Sequence, residues 1–193
     1  MSLLKITSRQ IYLQELGYYD GKIDGVVGEK TKAAYLALQK HHFTREKDID
    51  GVYGANTDNL LRSVYNMRKA EHFKLSEFKC KCGGKYCTGY PTVIDKNLID
   101  NLEKLRAVYG QPIKIMSGMR CATWNSKQAG SAKSSRHLTG KAADIYISGI
   151  STNQKGRQEI MKHWKTLPYQ RYTYANIDGS HPNMGNSVHV DVL

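Results

Sequence analysis

The chain has 193 residues, 24% of them charged and 40% apolar, with a formal net charge of +12 at pH 7. That composition supplies a hydrophobic core and excludes a disordered, collagen-like or coiled-coil chain. No window reaches the roughly 18 apolar residues of a membrane-spanning helix, and the cationic excess favours an anionic partner, be it nucleic acid, a membrane surface or an acidic wall polymer.

The opening stretch, MSLLKITSRQIYLQE, lacks the apolar core of roughly 7–15 residues that marks a cleaved secretory signal. An apolar pattern from about Ser8 to Leu16, with Ile11 and Leu13 on it and Gly17 as the stop, predicts a first helix. Two echoes follow. Asp24, Gly25, Gly28 and Thr31 repeat as Asp50, Gly51, Gly54 and Thr57, and each set runs into helix-period apolar residues. Asp-Gly forms a tight turn, and the second glycine of each set is expected at positive φ just before its helix. The result is three short helices joined by Asp-Gly loops.

The stretch RQIYLQELGYYDGKIDGVVGEKTKAAYLALQ and its echo DIDGVYGANT resemble the peptidoglycan-binding domain type 1 family over roughly residues 4–66. The resemblance implies a small all-α, three-helix, non-catalytic wall-binding domain over residues 1–66. Residues 67–76, MRKAEHFKLS, are polar and lack Pro and Gly, which predicts a stiff linker.

From residue 77 onward the pattern changes. A helix is predicted over about Asp95–Tyr109, stopped by Gly110. Strands are predicted at Ile113–Ser117, Ala142–Ile147 and Ser187–Leu193, with a helix near Arg157–Leu167. The order suggests an α+β domain with an antiparallel sheet over residues 77–193.

His137 and Asp144 flank Gly140, where a turn would fold them together, and the last strand offers His189. Two imidazoles and a carboxylate suit Zn²⁺ and leave one position for water. The alternative is a surface-loop histidine and a capping aspartate. Asp191 lies two residues after His189, on the same face of a strand. It would serve as general base, as a partner orienting an imidazole, or as a plain solvent-side residue. Arg120 offers a guanidinium for charge developing on an amide oxygen, or is a surface charge. His181 is a further candidate for transition-state contact, whereas His41, His42, His72 and His163 read as surface or packing residues. Cys80, Cys82, Cys87 and Cys121 read as a metal knuckle, a small disulfide framework or free buried thiols.

Ser135, His137, Gly140, Ala142 and Asp144 fit S-x-H-x-x-G-x-A-x-D. With SGMRC and HVDV, this resembles the zinc D-alanyl-D-alanine peptidases, the fold group of vancomycin-resistance dipeptidases, phage endolysins and the hedgehog signalling domain. The resemblance implies His137, Asp144 and His189 as zinc ligands, Ser135 and Arg120 as substrate contacts, and the cysteines as scaffold. Many relatives carry Glu or Asp three residues before the last histidine; here that position is Asn186.

Together these resemblances imply a monomeric, peptidoglycan-degrading zinc peptidase of the endolysin or autolysin kind. Its partners would be peptidoglycan and anionic wall polymers, not nucleic acid or a membrane span. It would be made in a host cytoplasm and act on the wall after release. The alternatives are a D-Ala-D-Ala carboxypeptidase acting on wall precursors and a catalytically inactive wall-binding protein. No arginine-rich arm supports a nucleic-acid binder.

Overall fold

The computed structural model describes residues 2–193. Its first three helices are α1 (Ile6–Glu15), α2 (Glu29–His42) and α3 (Ala55–Met67). They bury the apolar positions of the predicted pattern, with Leu13, Leu38, Leu60 and Leu61 fully enclosed. The two echoes are two copies of one polar clamp. Gln10 Nε2 donates to Asp24 Oδ1 (2.8 Å) and Val26 O (3.1 Å), and its Oε1 accepts from Gly25 N (2.9 Å). Gln39 Nε2 donates to Asp50 Oδ1, Val52 O and Thr57 Oγ1, each at 3.0 Å, and its Oε1 accepts from Gly51 N (2.7 Å). Both amides are buried, so each loop closes on a satisfied donor–acceptor set.

The glycine expectation needs correcting. Gly25 and Gly51, the first of each pair, take φ of +75° and +71°. Gly28 and Gly54 have φ of −90° and −112° and sit in extended conformation at the N-caps of α2 and α3. The turn sets this choice. Each aspartate accepts from the backbone N–H two residues on, Val26 and Val52, at 2.9 Å. That local closure places the left-handed residue immediately after the aspartate.

The predicted linker is not a spacer. Phe73 and Leu75 are buried, and Leu75 opens a 3₁₀ turn over Leu75–Phe78. They belong to the same hydrophobic cluster as Leu60 in α3 and Leu98 in the next helix. Ser63 Oγ accepts from Ile94 N (3.1 Å), and Asn66 Nδ2 donates to Ile94 O (2.8 Å). Charged residues stand in this stretch, but its two large apolar side chains are what the fold uses.

The remaining elements are α4 (Lys96–Tyr109), β1 (Ile113–Ser117), α5 (Ala122–Ser126), β2 (Ala142–Ile147), α6 (Gln154–Trp164), β3 (Gln170–Ala175) and β4 (Val188–Val192). Asp95 caps α4 by accepting from Asn97 N (2.8 Å), and Gly110 ends it at φ +60°. The four strands form one antiparallel sheet in the order β1-β2-β4-β3. Alternation divides its faces. Ala143, Ile145, Val188 and Val190 are fully buried on the parity opposite to Asp144 and His189, which pair directly across β2 and β4.

Two elements go beyond the sequence expectation: α5, of five residues, and β3, an edge strand of sequence QRYTYA. The sheet carries two irregularities. In β3, Gln170–Thr173 faces Val192–Val190, so one extra residue bulges opposite Asp191. In β1, Ile115–Ser117 faces Ile145–Asp144, so another bulges beside Asp144. Both lie next to the polar face of the central strands, where bulges commonly re-aim side chains.

Candidate metal centre

His137 stands on a 3₁₀ turn (Arg136–Thr139) that ends at Gly140, φ +70°. A Cβ on Gly140 would lie 2.0 Å from Val93 O, so only glycine lets the turn pass so close to the chain leading into α4. The chain then enters β2 and brings Asp144 back under His137. Asp144 pairs with His189 on β4. One donor atom from each of these three residues lies within 4.8 Å of the others. All three side chains are buried, 2% to 7% exposed.

One hydrogen bond fixes a proton of His137. His137 Nδ1 lies 2.7 Å from Gly118 O, which can only accept, so Nδ1 carries the hydrogen. The other nitrogen of His137, Nε2, faces Asp144 Oδ1, 3.3 Å away. His189 stands between two carboxylates. Its Nε2 faces Asp191 Oδ2 at 3.5 Å, and its Nδ1 faces Asp144 Oδ1 at 2.8 Å. One nitrogen of each imidazole and a carboxylate oxygen thus converge on one small volume. Such a set is stable only with a proton or a cation inside it, and the donor types are those zinc takes.

The same geometry shifts the ionisations. Burial alone would raise the Asp144 carboxyl, but hydrogen bonds from His137 and His189 outweigh it and hold the group well below the usual carboxylate range. Burial pushes His189 toward neutrality, and Asp144 and Asp191 on its two sides more than reverse this.

Arg120 lies beside the centre. Its Nη2 donates to Asp144 Oδ2 (2.7 Å) and its Nε to Ser117 Oγ (2.9 Å). The guanidinium thus occupies the carboxylate oxygen that the imidazoles do not use. Ser135 lines the same cleft, of about 300 Å³, with Arg120, His137, Tyr174, His189 and Asp191.

Asp191 is placed on the outer side of the His189 ring. Its Oδ1 accepts from Tyr172 N (2.8 Å) and its Oδ2 from Arg171 Nη1 (3.2 Å). The β3 bulge is what presents that Tyr172 N–H. Of the roles expected for Asp191, this arrangement fits a carboxylate that orients an imidazole. His181 is not beside the three donors. It is exposed, and its ring packs on Tyr174 at 4.7 Å, which in turn stacks on His189 at 4.5 Å. Asn186 is turned away and accepts from Arg157 Nη1 (3.1 Å). His72 and His163 pair with Glu103 and Tyr109, and His41 and His42 gather around Tyr18.

Tyr174, Ser117 and the Gly118 carbonyl also belong to the site; Ser117 and Gly118 open the SGMRC stretch, whereas nothing in the sequence marked Tyr174. Ser117 and Gly118 close the predicted strand ahead of Arg120. Tyr174 sits on the strand the reading missed.

Comparison with known proteins agrees with this geometry. Residues 71–191 match the model of the family described as "Peptidase M15", and residues 5–61 match the "Putative peptidoglycan binding domain". The chain is 42% identical over 60 residues to a spore cortex-lytic enzyme of Oceanobacillus iheyensis, covering 31% of this chain and 21% of that protein. It is 30% identical over 92 residues to the peptidoglycan L,D-endopeptidase MepK of Escherichia coli K12, covering 44% of this chain and 50% of that protein. The chain thus spans half or less of the length of these relatives. With the M15 match running from the connector through Asp191 and enclosing all three metal-type donors, the chain belongs to the peptidase M15 family.

Proposed function

We propose that this protein hydrolyses an amide bond in the stem or cross-link peptide of peptidoglycan, with His137, Asp144 and His189 holding a zinc ion. The observation that carries the reading is the convergence of two imidazole nitrogens and a carboxylate oxygen beside one cleft. A zinc ion held there supplies Lewis acidity toward the scissile carbonyl and lowers the pKa of water.

The chain's own residues supply the rest. Arg120 keeps Asp144 oriented through Oδ2 and lends positive charge to the cleft where an amide oxygen becomes anionic. Ser135 faces the same cleft as a substrate contact. Asp191 holds the proton of His189 on Nε2 and so keeps Nδ1 free for the metal. His181, exposed on the rim against Tyr174, is the imidazole placed to exchange a proton with solvent.

A larger groove, about 720 Å³, runs along the N-terminal helices between Arg9, Lys32, Tyr35, Val52 and Tyr53. We assign it to the glycan or peptide of the wall. Anchoring there raises the local concentration of cleavable bonds on an insoluble polymer. The +12 charge favours anionic wall polymers, with binding that weakens as salt screens it. The protein then works on the wall after release from the cell that makes it.

Purified peptidoglycan digested with and without a chelator, with the products identified by mass spectrometry, tests the reading. New amines and carboxyls at a stem or cross-link bond, lost with chelator, are expected. Release of terminal D-alanine alone would make it a carboxypeptidase. Wall binding without any product would favour the inactive alternative, which the engagement of Asn186 by Arg157 keeps in view.

A further inference from the structure

The four cysteines form a second donor cluster, separate from the His–Asp–His centre. Cys80, Cys82, Cys87 and Cys121 are free thiols, and their sulfurs all lie within 4.8 Å of one another. Cys82 and Cys87 are 3.5 Å apart at sulfur. A tetrahedral ion with zinc–sulfur bonds of roughly 2.3 Å needs sulfurs about 3.8 Å apart. A disulfide would instead bring one pair to about 2.0 Å and exclude the others.

The local backbone is shaped around the cluster. Gly83 and Gly84 take φ of +64° and +81°, turning the chain back so that Cys82 and Cys87 face each other across four residues. Cys80 and Gly89 close the base of this loop through Cys80 N donating to Gly89 O (2.8 Å). Cys121 joins from a distant part of the chain. Two sulfurs accept backbone hydrogens: Cys80 from Cys121 N and Cys87 from Gly89 N, both at 3.4 Å. Neutral thiols are weak acceptors, whereas metal-bound thiolates are good ones. The surroundings are cationic, with Lys85 and Lys127 over the Tyr86 ring and Arg45 donating to Gly84 O (3.1 Å). They offset the net negative charge of a metal held by four thiolates.

We propose that Cys80, Cys82, Cys87 and Cys121 bind a structural zinc ion. Four S–H groups release their protons to solvent as four zinc–sulfur bonds form, and no electron is transferred. The unusual C-x-C-x4-C spacing is accommodated because Cys121 completes the tetrahedron from outside the loop. The site also has a place in the enzyme. Cys121 follows Arg120, and Arg120 N donates to His137 O (3.0 Å) while its side chain holds Asp144. The thiolate metal therefore ties the 80–89 loop to the segment that aims Arg120.

The test uses the full chain carrying His137→Ala and His189→Ala, which disables the other centre. The protein is incubated with zinc and reductant, desalted and analysed for metal. About one zinc per chain is expected, falling to none when Cys82→Ser is added. Since that variant risks misfolding, two measurements are made on the Cys-intact protein. Zinc should protect all four cysteines from alkylation, and cobalt substitution should give thiolate-to-cobalt charge-transfer absorption. A Cys-intact protein that retains no zinc, leaves its thiols open to alkylation or gives cobalt spectra without thiolate bands overturns the proposal.

Discussion

Gln39 and Asp144 are both buried polar side chains at the heart of a loop network, yet their networks end differently. The Gln39 amide donates to three oxygens and accepts from the backbone, so its clamp is complete within the protein. Gln10 repeats the same solution one echo earlier. At Asp144, by contrast, His137 gives a proton outward to Gly118 O, while one nitrogen of His137 and one of His189 face the same carboxylate oxygen. A closed clamp is architecture. Two imidazole nitrogens turned on one carboxylate oxygen are closed by a proton or a cation between them. The difference lies in whether the network closes on its own atoms, which composition does not reveal.

This contrast is broken most severely at the open set. Asp144→Ala or His137→Ala should abolish bound zinc and lower wall hydrolysis at least ~10⁴-fold, at or beyond the upper end of the loss from a single acid–base group. Metal analysis and turbidity of purified walls measure both. Retained activity in the metal-free variant would refute the mechanism.

At the closed set the loss should appear as stability. Gln39→Ala strands Asp50, Gly51 and Thr57 groups and should cost roughly 1–3 kcal/mol in urea unfolding. Zinc content should stay unchanged. A drop in metal instead would show that the two networks are coupled.

Asp191→Asn sharpens the boundary between holding a metal ligand and moving a proton. As an orienting partner its loss should weaken zinc about 10–100-fold. Normal zinc affinity with a rate lowered about 10²–10⁴-fold would make it the base instead. His181→Gln, measured alongside, should lower the rate while leaving zinc in place.

The smallest effect concerns a histidine in neither set. Burial, and then the neighbouring charge of His41 and Lys79, push His42 down to about 4 from its ordinary 6.5. A depressed folded-state value means that its stabilisation is full above pH 6.5 and fades as pH falls toward 4. Melting temperatures across that range should decline less steeply in His42→Phe.

Much of this was legible because periodicity carries over into burial. The strands Ile113–Ser117 and Ala142–Ile147 lie where their short apolar runs put them. The turn at Gly140 juxtaposes His137 and Asp144 as the spacing suggested. What was not legible depends on pairing. The strand QRYTYA has too many polar residues to announce itself, because it is an edge strand whose neighbour, not its own composition, holds it. Its bulge sends Tyr172 N–H to Asp191, and no local motif signals a bulge. The polar run before Leu75 hid two core residues, since Phe73 and Leu75 pack against elements on both sides.

That shared packing bears on how such an enzyme would travel. With the N-terminal helices and the His–Asp–His centre built around one interior, a cutting point would stand at a set offset from a wall grip, like a chisel fixed to its handle. Bonds beyond that radius become reachable only when the grip lets go and lands elsewhere. Clearing a wall then depends on how briefly the protein stays put, and a variant that clings harder would clear less ground.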